Sequence, residues 1–229
     1  GRGMSVHAAI FDLDGTLIDS YAAHFKAWTS VSAEIGHTLT EPQFQSQFGR
    51  KNEPILMELH ELAGKPDPTS GQIDTLAEIK ETRYRAMIAE DFPEMPGSVA
   101  LILALRDAGW KVAIGSSAPQ ANIDFCIEQF KHLGIEFDAV ACGDDVILGK
   151  PAPDVFLLAA SRLGVSPEAC VVLEDAVAGI DAAKNAAMGS VGVCSTGRTR
   201  AELAHADIVI DCFSELSPDL LAGLPGAVA

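Results

Sequence analysis

Short runs of apolar residues recur along the chain, and stretches with helical periodicity separate most of them. A continuous apolar run of about four to eight residues between turn signals is typical of a strand buried on both faces. Such runs predict strands at Val6–Phe11, Lys111–Gly115, Ala139–Cys142, Cys170–Leu173, Val191–Cys194 and Ile208–Ile210. Helical spacing predicts helices at Ser98–Ala108, Ala121–Leu133, Asp154–Leu163 and Ala176–Met188. The alternation predicts an α/β fold with a doubly wound, Rossmann-like parallel sheet that is covered by helices on both faces.

One region departs from this alternation, because residues 21 to about 94 contain no convincing strand. The helices predicted there by apolar spacing are Ala22–Ile35, Glu53–Ala63 and Gln72–Ala89. Prolines separate them, and we interpret Pro42, the Pro66–Gly71 cluster and the Pro93–Pro96 pair as breaks. The sequence therefore predicts an all-helical domain at residues 20–94, inserted after the first strand of an α/β core made of residues 4–19 and 95–229.

Composition narrows the classes of partner. The 229 residues suffice for one large domain or a domain with an insert, and 48% of them are hydrophobic. There are 16 Lys or Arg and 32 Asp or Glu residues, which gives a formal net charge of −16. Without a basic cluster, this balance argues against binding to nucleic acid polymers or to anionic membranes. Solubility alone could explain the acidity, which otherwise raises the question of how the chain would bind an anionic substrate.

Apolar runs, the start of the chain and the cysteines indicate the cellular compartment. No apolar run approaches the ~20 residues of a membrane span, and the start of the chain shows no signal-peptide pattern. We interpret Gly1-Arg2-Gly3 before Met4 as an expression remnant. Five cysteines are widely spaced and form no CxxC pair: Cys126, Cys142, Cys170, Cys194 and Cys212. They are predicted to be buried free thiols in a reducing compartment, which we expect to be the cytoplasm.

Two carboxylates follow the first predicted strand. Asp12 and Asp14 lie two residues apart where the apolar run opens into Gly15-Thr16. Like charges ~4 Å apart repel each other by about 4 kcal/mol at an effective dielectric constant near 20. Such a pair therefore needs a cation or a shared proton, unless it is an ordinary acidic turn after an edge strand.

Three further polar motifs lie at or after the C-terminal ends of other predicted strands. Gly115-Ser116-Ser117-Ala118 offers hydroxyl and backbone N–H donors to an anion, although a plain helix N-cap has the same appearance. Gly149-Lys150-Pro151 restricts a lysine that is otherwise solvated in most proteins. Leu173-Glu174-Asp175 places two carboxylates beside an apolar run, which is costly unless a cation or a helix N-terminus meets them. Because ligands bind at the carboxyl edge of open α/β sheets, the motifs together predict a site there.

In their order, these motifs resemble those of the haloacid dehalogenase superfamily of phosphotransferases. The match runs from Val6 to about Asp211, and the placement of the helical insert resembles the small cap of the β-phosphoglucomutase and phosphoglycolate phosphatase branch. The resemblance implies that Asp12 is the nucleophile, which forms an aspartyl-phosphate, and that Asp14 is the general acid and base. It also implies that Ser116 and Lys150 hold the transferred phosphoryl group.

The resemblance further implies a Mg²⁺ cofactor. Its ligands would be the carboxylates of Asp12 and Asp175, the backbone carbonyl of Asp14, and Glu174 directly or through water. Four carboxylates and Lys150 leave the bare site with a charge of about −3, so a phosphate dianion would be repelled without a metal ion.

Residues outside these motifs are expected to bind the substrate. His24 and Trp28 lie four residues apart on one helix face, as in the cap of β-phosphoglucomutase, and Gly49 and Arg50 resemble part of a cap specificity loop. The alternatives are that Trp28 is a core residue and that His24 and Arg50 are solvated. We also expect Thr16, Ser117 and Asn122 to bind the substrate.

The chain departs from the mutases at several positions. Pro119-Gln120 stands where those enzymes have a lysine, and their cap arginine and lysine fall near Asn52 and Ala86. The favoured prediction is therefore a Mg²⁺-dependent phosphatase that hydrolyses a small phosphorylated metabolite such as a sugar phosphate. A sugar phosphomutase is the alternative, followed by a non-catalytic phosphate-binding module. A monomer and a weak dimer are both compatible with the sequence.

Overall fold

The computed structural model describes residues 6–195 and 197–224, so the predicted expression remnant at residues 1–3 lies outside the described residues. The chain forms two compact units. One contains the chain up to Asp19 and from Glu94 onward, and the other is Ser20–Pro93. The sequence prediction assigned Glu94 to the helical insert, whereas in the structure Glu94 forms an isolated antiparallel bridge with Ile18.

Six parallel strands form the sheet of the first unit. They are β1 (Ala8–Phe11), β2 (Lys111–Ser116), β3 (Ala139–Cys142), β4 (Cys170–Glu174), β5 (Gly189–Val193) and β6 (Ile208–Ile210). Their spatial order is β3-β2-β1-β4-β5-β6, and Ala8 of β1 pairs with Lys111 of β2 and with Cys170 of β4. This order is that of a doubly wound sheet whose direction of winding reverses at β1, so the predicted fold class is confirmed.

The helices alternate with the strands after the insert. In chain order they are α1 (Tyr21–Ile35), α2 (Glu41–Gln47), α3 (Asn52–Leu62), α4 (Ser70–Glu90), α5 (Ser98–Asp107), α6 (Gln120–His132), α7 (Asp154–Leu163), α8 (Val177–Asn185) and α9 (Pro218–Ala222). Short 3₁₀ turns lie at Gly143–Asp145, Pro167–Ala169 and Phe213–Glu215. The strand and helix assignments agree with the predicted apolar periods apart from shifts at the ends and the additional α2 and α9.

The sheet is apolar because helices cover it. One core cluster joins Ile10 of β1 and Val172 of β4 to Phe156 of α7 and Ala183 of α8. All four residues are fully buried, and burial of a large apolar side chain stabilises the fold by about 1.5–3 kcal/mol. This packing fixes the central strands, and with them the backbone at their carboxyl ends.

The helical unit has an aromatic core of its own. Phe44 is almost fully buried, and its ring centroid lies 5.0 Å from those of Tyr21 and Phe25 and 5.6 Å from that of Phe48. Trp28 is also part of this cluster. Residues 20–93 therefore bury a core without a strand, as the sequence predicts for the insert.

Pro42 lies between the two predicted helices, as the sequence indicates, but it belongs to an additional helix, α2, which the sequence did not predict. Pro42 lies in the first turn of α2, where a missing N–H is tolerated because it would have no partner in the helix. Thr40 and Gln43 cap this end reciprocally: Gln43 N donates to Thr40 Oγ1 (3.4 Å), and Thr40 N donates to Gln43 Oε1 (3.1 Å). A capping box therefore begins the helix at this proline.

The cysteines are free, but they are not all buried. Cys126, Cys142 and Cys170 are buried, Cys194 is intermediate, and Cys212 is exposed, so the prediction of burial was wrong for Cys212. Among the described residues, every helix is too short or too polar to cross a membrane.

Candidate active site

The carboxyl edge of the sheet brings together three of the predicted carboxylates. Asp12 directly follows β1, and its N–H donates to the Leu173 carbonyl of β4 (3.0 Å), which carries the strand pairing to the edge. Glu174 ends β4, and Asp175 follows it. The three side chains are buried, and one ligand atom from each lies within 4.8 Å of the others.

Lys150 binds two of these carboxylates. Its Nζ donates to Asp12 Oδ1 (3.0 Å), Glu174 Oε2 (2.7 Å) and the Gly115 carbonyl (3.2 Å). Burial lowers the pKa of Lys150, but the charges of Asp12 and Glu174 outweigh burial and raise the pKa above its ordinary value. Lys150 is therefore a permanent cation of the site.

Two glycines give the carboxylates room. A Cβ on Gly15, whose φ is +79°, would lie 2.2 Å from Asp175 Oδ2, and a Cβ on Gly179 would lie 1.9 Å from Glu174 Cδ. Any other residue at Gly15 or Gly179 would force the carboxylate of Asp175 or of Glu174 to move. The Asp-Gly-Thr turn and the glycine in the first turn of α8 are thus steric requirements of the site.

Burial raises the pKa of Asp12 well above its usual range, and the charge of Glu174 adds to this effect while Lys150 opposes it. For Asp175, burial and Glu174 raise the pKa to about 7, although the Arg198 guanidinium lowers it. A divalent cation would relieve the repulsion, and a cluster of carboxylate oxygens is the donor set that Mg²⁺ prefers. The residues present therefore fit a magnesium ion.

Hydroxyl and amide groups surround this edge. Ser116 is buried at the end of β2, and its Oγ accepts a hydrogen bond from Ala118 N (3.0 Å), which leaves its own hydrogen able to donate. Thr16 Oγ1 lies 3.5 Å from Asp175 Oδ1. Ser117 is intermediate in exposure, and Asn122 is buried in the first turn of α6.

Asp14 lies in the turn after β1. It is intermediate in exposure, two residues from buried Asp12, and forms an isolated bridge with Ile18. This partial exposure gives the Asp14 side chain access to water.

In the helical unit, His24 is buried beside a cation. Lys80 Nζ lies 2.8 Å from His24 Nδ1, and the His24 ring stacks on Tyr84 with a centroid distance of 3.8 Å. Since an ammonium group only donates, Nδ1 must accept, and the proton of the neutral imidazole is on Nε2. Trp28 lies in the core, with Lys80 Nζ 5.0 Å from its ring centroid.

Gly49 and Arg50 follow α2. Gly49 has φ of +92°, a conformation that favours glycine. Arg50 is exposed and forms an ion pair with Glu58 (2.8 Å).

Sequence reasoning missed Lys80, Glu81 and Arg198. Lys80 and Glu81 are buried and form an ion pair of 2.7 Å. The spacing of Lys80, Tyr84 and Ile88 on one face of α4 is a signal that could have found this lysine. Arg198 donates from Nε to Asp175 Oδ2 (3.4 Å) and lies in a loop whose sequence gives no such signal.

A model of the haloacid dehalogenase-like hydrolase family matches residues 6–187, and the chain belongs to this family. It is 33% identical over 219 residues to beta-phosphoglucomutase from Bacillus subtilis strain 168, with 93% of each chain covered. It is also 33% identical over 192 residues to fructose-1-phosphate phosphatase YqaB from Escherichia coli K12, with 80% of this chain and 94% of YqaB covered.

A solved structure is similar over nearly the whole chain. A mutant of CbbY from Rhodobacter sphaeroides, in complex with xylulose-(1,5)bisphosphate, has a TM-score of 0.82 and 29% identity, and covers 92% of this chain and 96% of its own. The relatives of this chain therefore include both a phosphatase and a phosphomutase.

Proposed function

We propose that this protein is a Mg²⁺-dependent phosphatase that hydrolyses a small phosphorylated metabolite, such as a sugar phosphate, through an aspartyl-phosphate on Asp12. The observation that carries the proposal is the geometry around Asp12. Asp12 directly follows β1, and its buried carboxylate accepts a hydrogen bond from Lys150 beside Glu174 and Asp175. A carboxylate held in this way has a fixed orientation, as a nucleophile requires.

In the first step, an Asp12 oxygen attacks phosphorus, and the bond from phosphorus to the ester oxygen of the substrate breaks. Asp14 gives its proton to the departing oxygen, so that an alcohol leaves rather than an alkoxide. Lys150 offsets the charge of the phosphoryl oxygens, and the Ser116 hydroxyl donates to one of them.

In the second step, Asp14 accepts a proton from a water molecule as that water attacks phosphorus. The bond between phosphorus and Asp12 breaks, which releases inorganic phosphate and restores both aspartates. Asp12, Asp175, Glu174 and the Asp14 carbonyl would hold Mg²⁺, which supplies positive charge opposite the phosphoryl oxygens when it is bound.

Hydrolysis is favoured over transfer within a sugar because Pro119-Gln120 offers no cation beside the serine motif. We further propose that His24, Trp28, Gly49 and Arg50 select the alcohol part of the substrate. We also propose a cytoplasmic location, because free thiols are more frequent in proteins of reducing compartments.

The test is phosphate release by the purified protein from p-nitrophenyl phosphate and from a panel of phosphorylated metabolites, with Mg²⁺ or with EDTA. We expect release that requires Mg²⁺ and kcat/KM values that differ among the metabolites. The absence of release from every compound would contradict the proposal. Conversion of β-glucose 1-phosphate to glucose 6-phosphate without loss of phosphate would establish the mutase instead.

A further inference from the structure

Arg198 is a second cation at the carboxylate cluster. In the described part of the chain, Lys150 binds Asp12 and Glu174, whereas Arg198 donates from Nε to Oδ2 of Asp175 at 3.4 Å. Each of the three carboxylates thus faces a cation. Without a metal ion, the site therefore has two cations, Lys150 and Arg198, rather than Lys150 alone against the four carboxylates.

The topology explains how Arg198 reaches the site. Strand β5 lies next to β4, so the loop after β5 leaves the same edge of the sheet as Asp175. The loop is tied to itself, because Arg198 N donates to the Ser195 carbonyl (3.1 Å) and Cys194 Sγ donates to the Arg198 carbonyl (3.4 Å). The Arg198 side chain is only 14% exposed. An arginine buried to this degree needs an anionic partner, and Asp175 is that partner.

The other contacts of Asp175 limit its orientation. Thr16 Oγ1 lies 3.5 Å from Oδ1, and Gly15 packs against the carboxylate so closely that a Cβ would lie 2.2 Å from Oδ2. Arg198 attracts the Oδ2 oxygen of Asp175 through its Nε hydrogen bond. Without Arg198, this attraction on Asp175 would be lost and the repulsion from Glu174 would remain.

We propose that Arg198 is a positioning residue for the divalent cation: it holds Asp175 in the orientation in which this carboxylate and those of Asp12 and Glu174 share one ion. The inference rests on the proposed function, because that function requires the ion. Two effects of Arg198 on cation affinity have opposite signs. The positive charge of Arg198 repels the ion, whereas its hydrogen bond orients the Asp175 carboxylate. If substitution of Arg198 raises the Kd for the cation, the orienting effect is the larger one; if it lowers the Kd, the repulsion is.

The experiment measures Mn²⁺ binding by electron paramagnetic resonance, without substrate, for the wild type, Arg198→Met, Arg198→Lys and Arg200→Met. Loss of a group that orients a metal ligand costs about 10–100-fold in affinity, so we expect the Kd of Arg198→Met to rise by that factor. Arg198→Lys should bind several-fold more weakly than the wild type, because an ammonium lacks the planar fork of a guanidinium. Arg200 pairs with Asp211 at 3.0 Å, so Arg200→Met is a control in the same loop and should not change the Kd.

An unchanged or lower Kd in Arg198→Met would overturn the inference, because the repulsive effect would then equal or exceed the orienting one. Absence of Mn²⁺ binding by the wild type would overturn it too, together with the proposed metal dependence. Normal Mn²⁺ binding without phosphate release from any compound would overturn the proposed function alone. If circular dichroism shows that Arg198→Met does not fold, Arg198→Lys decides, and a wild-type Kd in that variant overturns the inference.

Discussion

Replacement of Lys150 by methionine should destabilise the metal-free protein strongly. The Nζ atom lies 3.0 Å from Asp12 Oδ1 and 2.7 Å from Glu174 Oε2, and the Lys150 side chain is only 9% exposed. Removal of one partner from a buried ion pair costs about 3–5 kcal/mol, since it leaves an uncompensated charge. Methionine retains most of the apolar contacts of the lysine stem, so we expect a loss of ~3 kcal/mol.

The assay is urea unfolding in EDTA, and Lys111→Met is the matched control. Lys111 Nζ donates to the Leu163 carbonyl at 2.8 Å and faces no carboxylate in the bonds that the structure describes, so its loss should cost only about 1 kcal/mol. Mg²⁺ should stabilise Lys150→Met more than the wild type, because it replaces the missing positive charge. In the double variant Lys150→Met/Glu174→Gln, the loss should be smaller than the sum of the single losses by about 0.5–3 kcal/mol. Equal losses for Lys150→Met and Lys111→Met, or strict additivity, would refute this reasoning.

Three further predictions concern the same edge of the sheet. Gly179→Ala should lower kcat at least tenfold and destabilise the fold by about 1–3 kcal/mol, because the added Cβ would lie 1.9 Å from Glu174 Cδ. Gly71→Ala is the control: its nearest atom would be 4.0 Å from the Cβ, so this variant should be nearly neutral in the same assays. In the metal-free protein, the midpoint of thermal unfolding should fall as the pH rises from about 4 toward 7. Folding raises the pKa of Asp175 to about 7, so over this range the folded state holds a proton that the unfolded state has released. A midpoint that rises with pH would contradict the prediction. Asp14→Asn should slow both chemical steps in single-turnover and steady-state assays, and activity within about tenfold of the wild type would assign the acid–base role to another group.

The sequence predicts the structure best where a single pattern of apolar residues determines the type of element. The apolar runs around Ile10 and Val172 are continuous because helices cover both faces of the sheet, and this pattern is visible in the sequence alone. Position at the carboxyl edge then follows from parallel topology, which is why Asp12 and Glu174 could be assigned to one site before any coordinates.

Features that depend on a partner distant in the chain could not be predicted in this way. Arg198 lies 23 residues from Asp175, and only the pairing of β4 with β5 brings their loops together. Lys80 meets His24 from a position 56 residues away, through the packing of α4 on α1. The helix start at Pro42 was missed for a local reason, because a proline in the first turn of a helix has the same composition signal as a break.

The central claim is that Asp12 is the nucleophile, and phosphate release by Asp12→Asn tests it most directly. An amide in this position keeps the size of the side chain but cannot form the acyl phosphate, so the account predicts no Mg²⁺-dependent turnover by a variant whose circular dichroism matches the wild type. Asp19→Asn, a substitution at an exposed aspartate a few residues along the chain, should retain full activity. Phosphate release by Asp12→Asn at a rate close to that of the wild type would contradict the covalent mechanism.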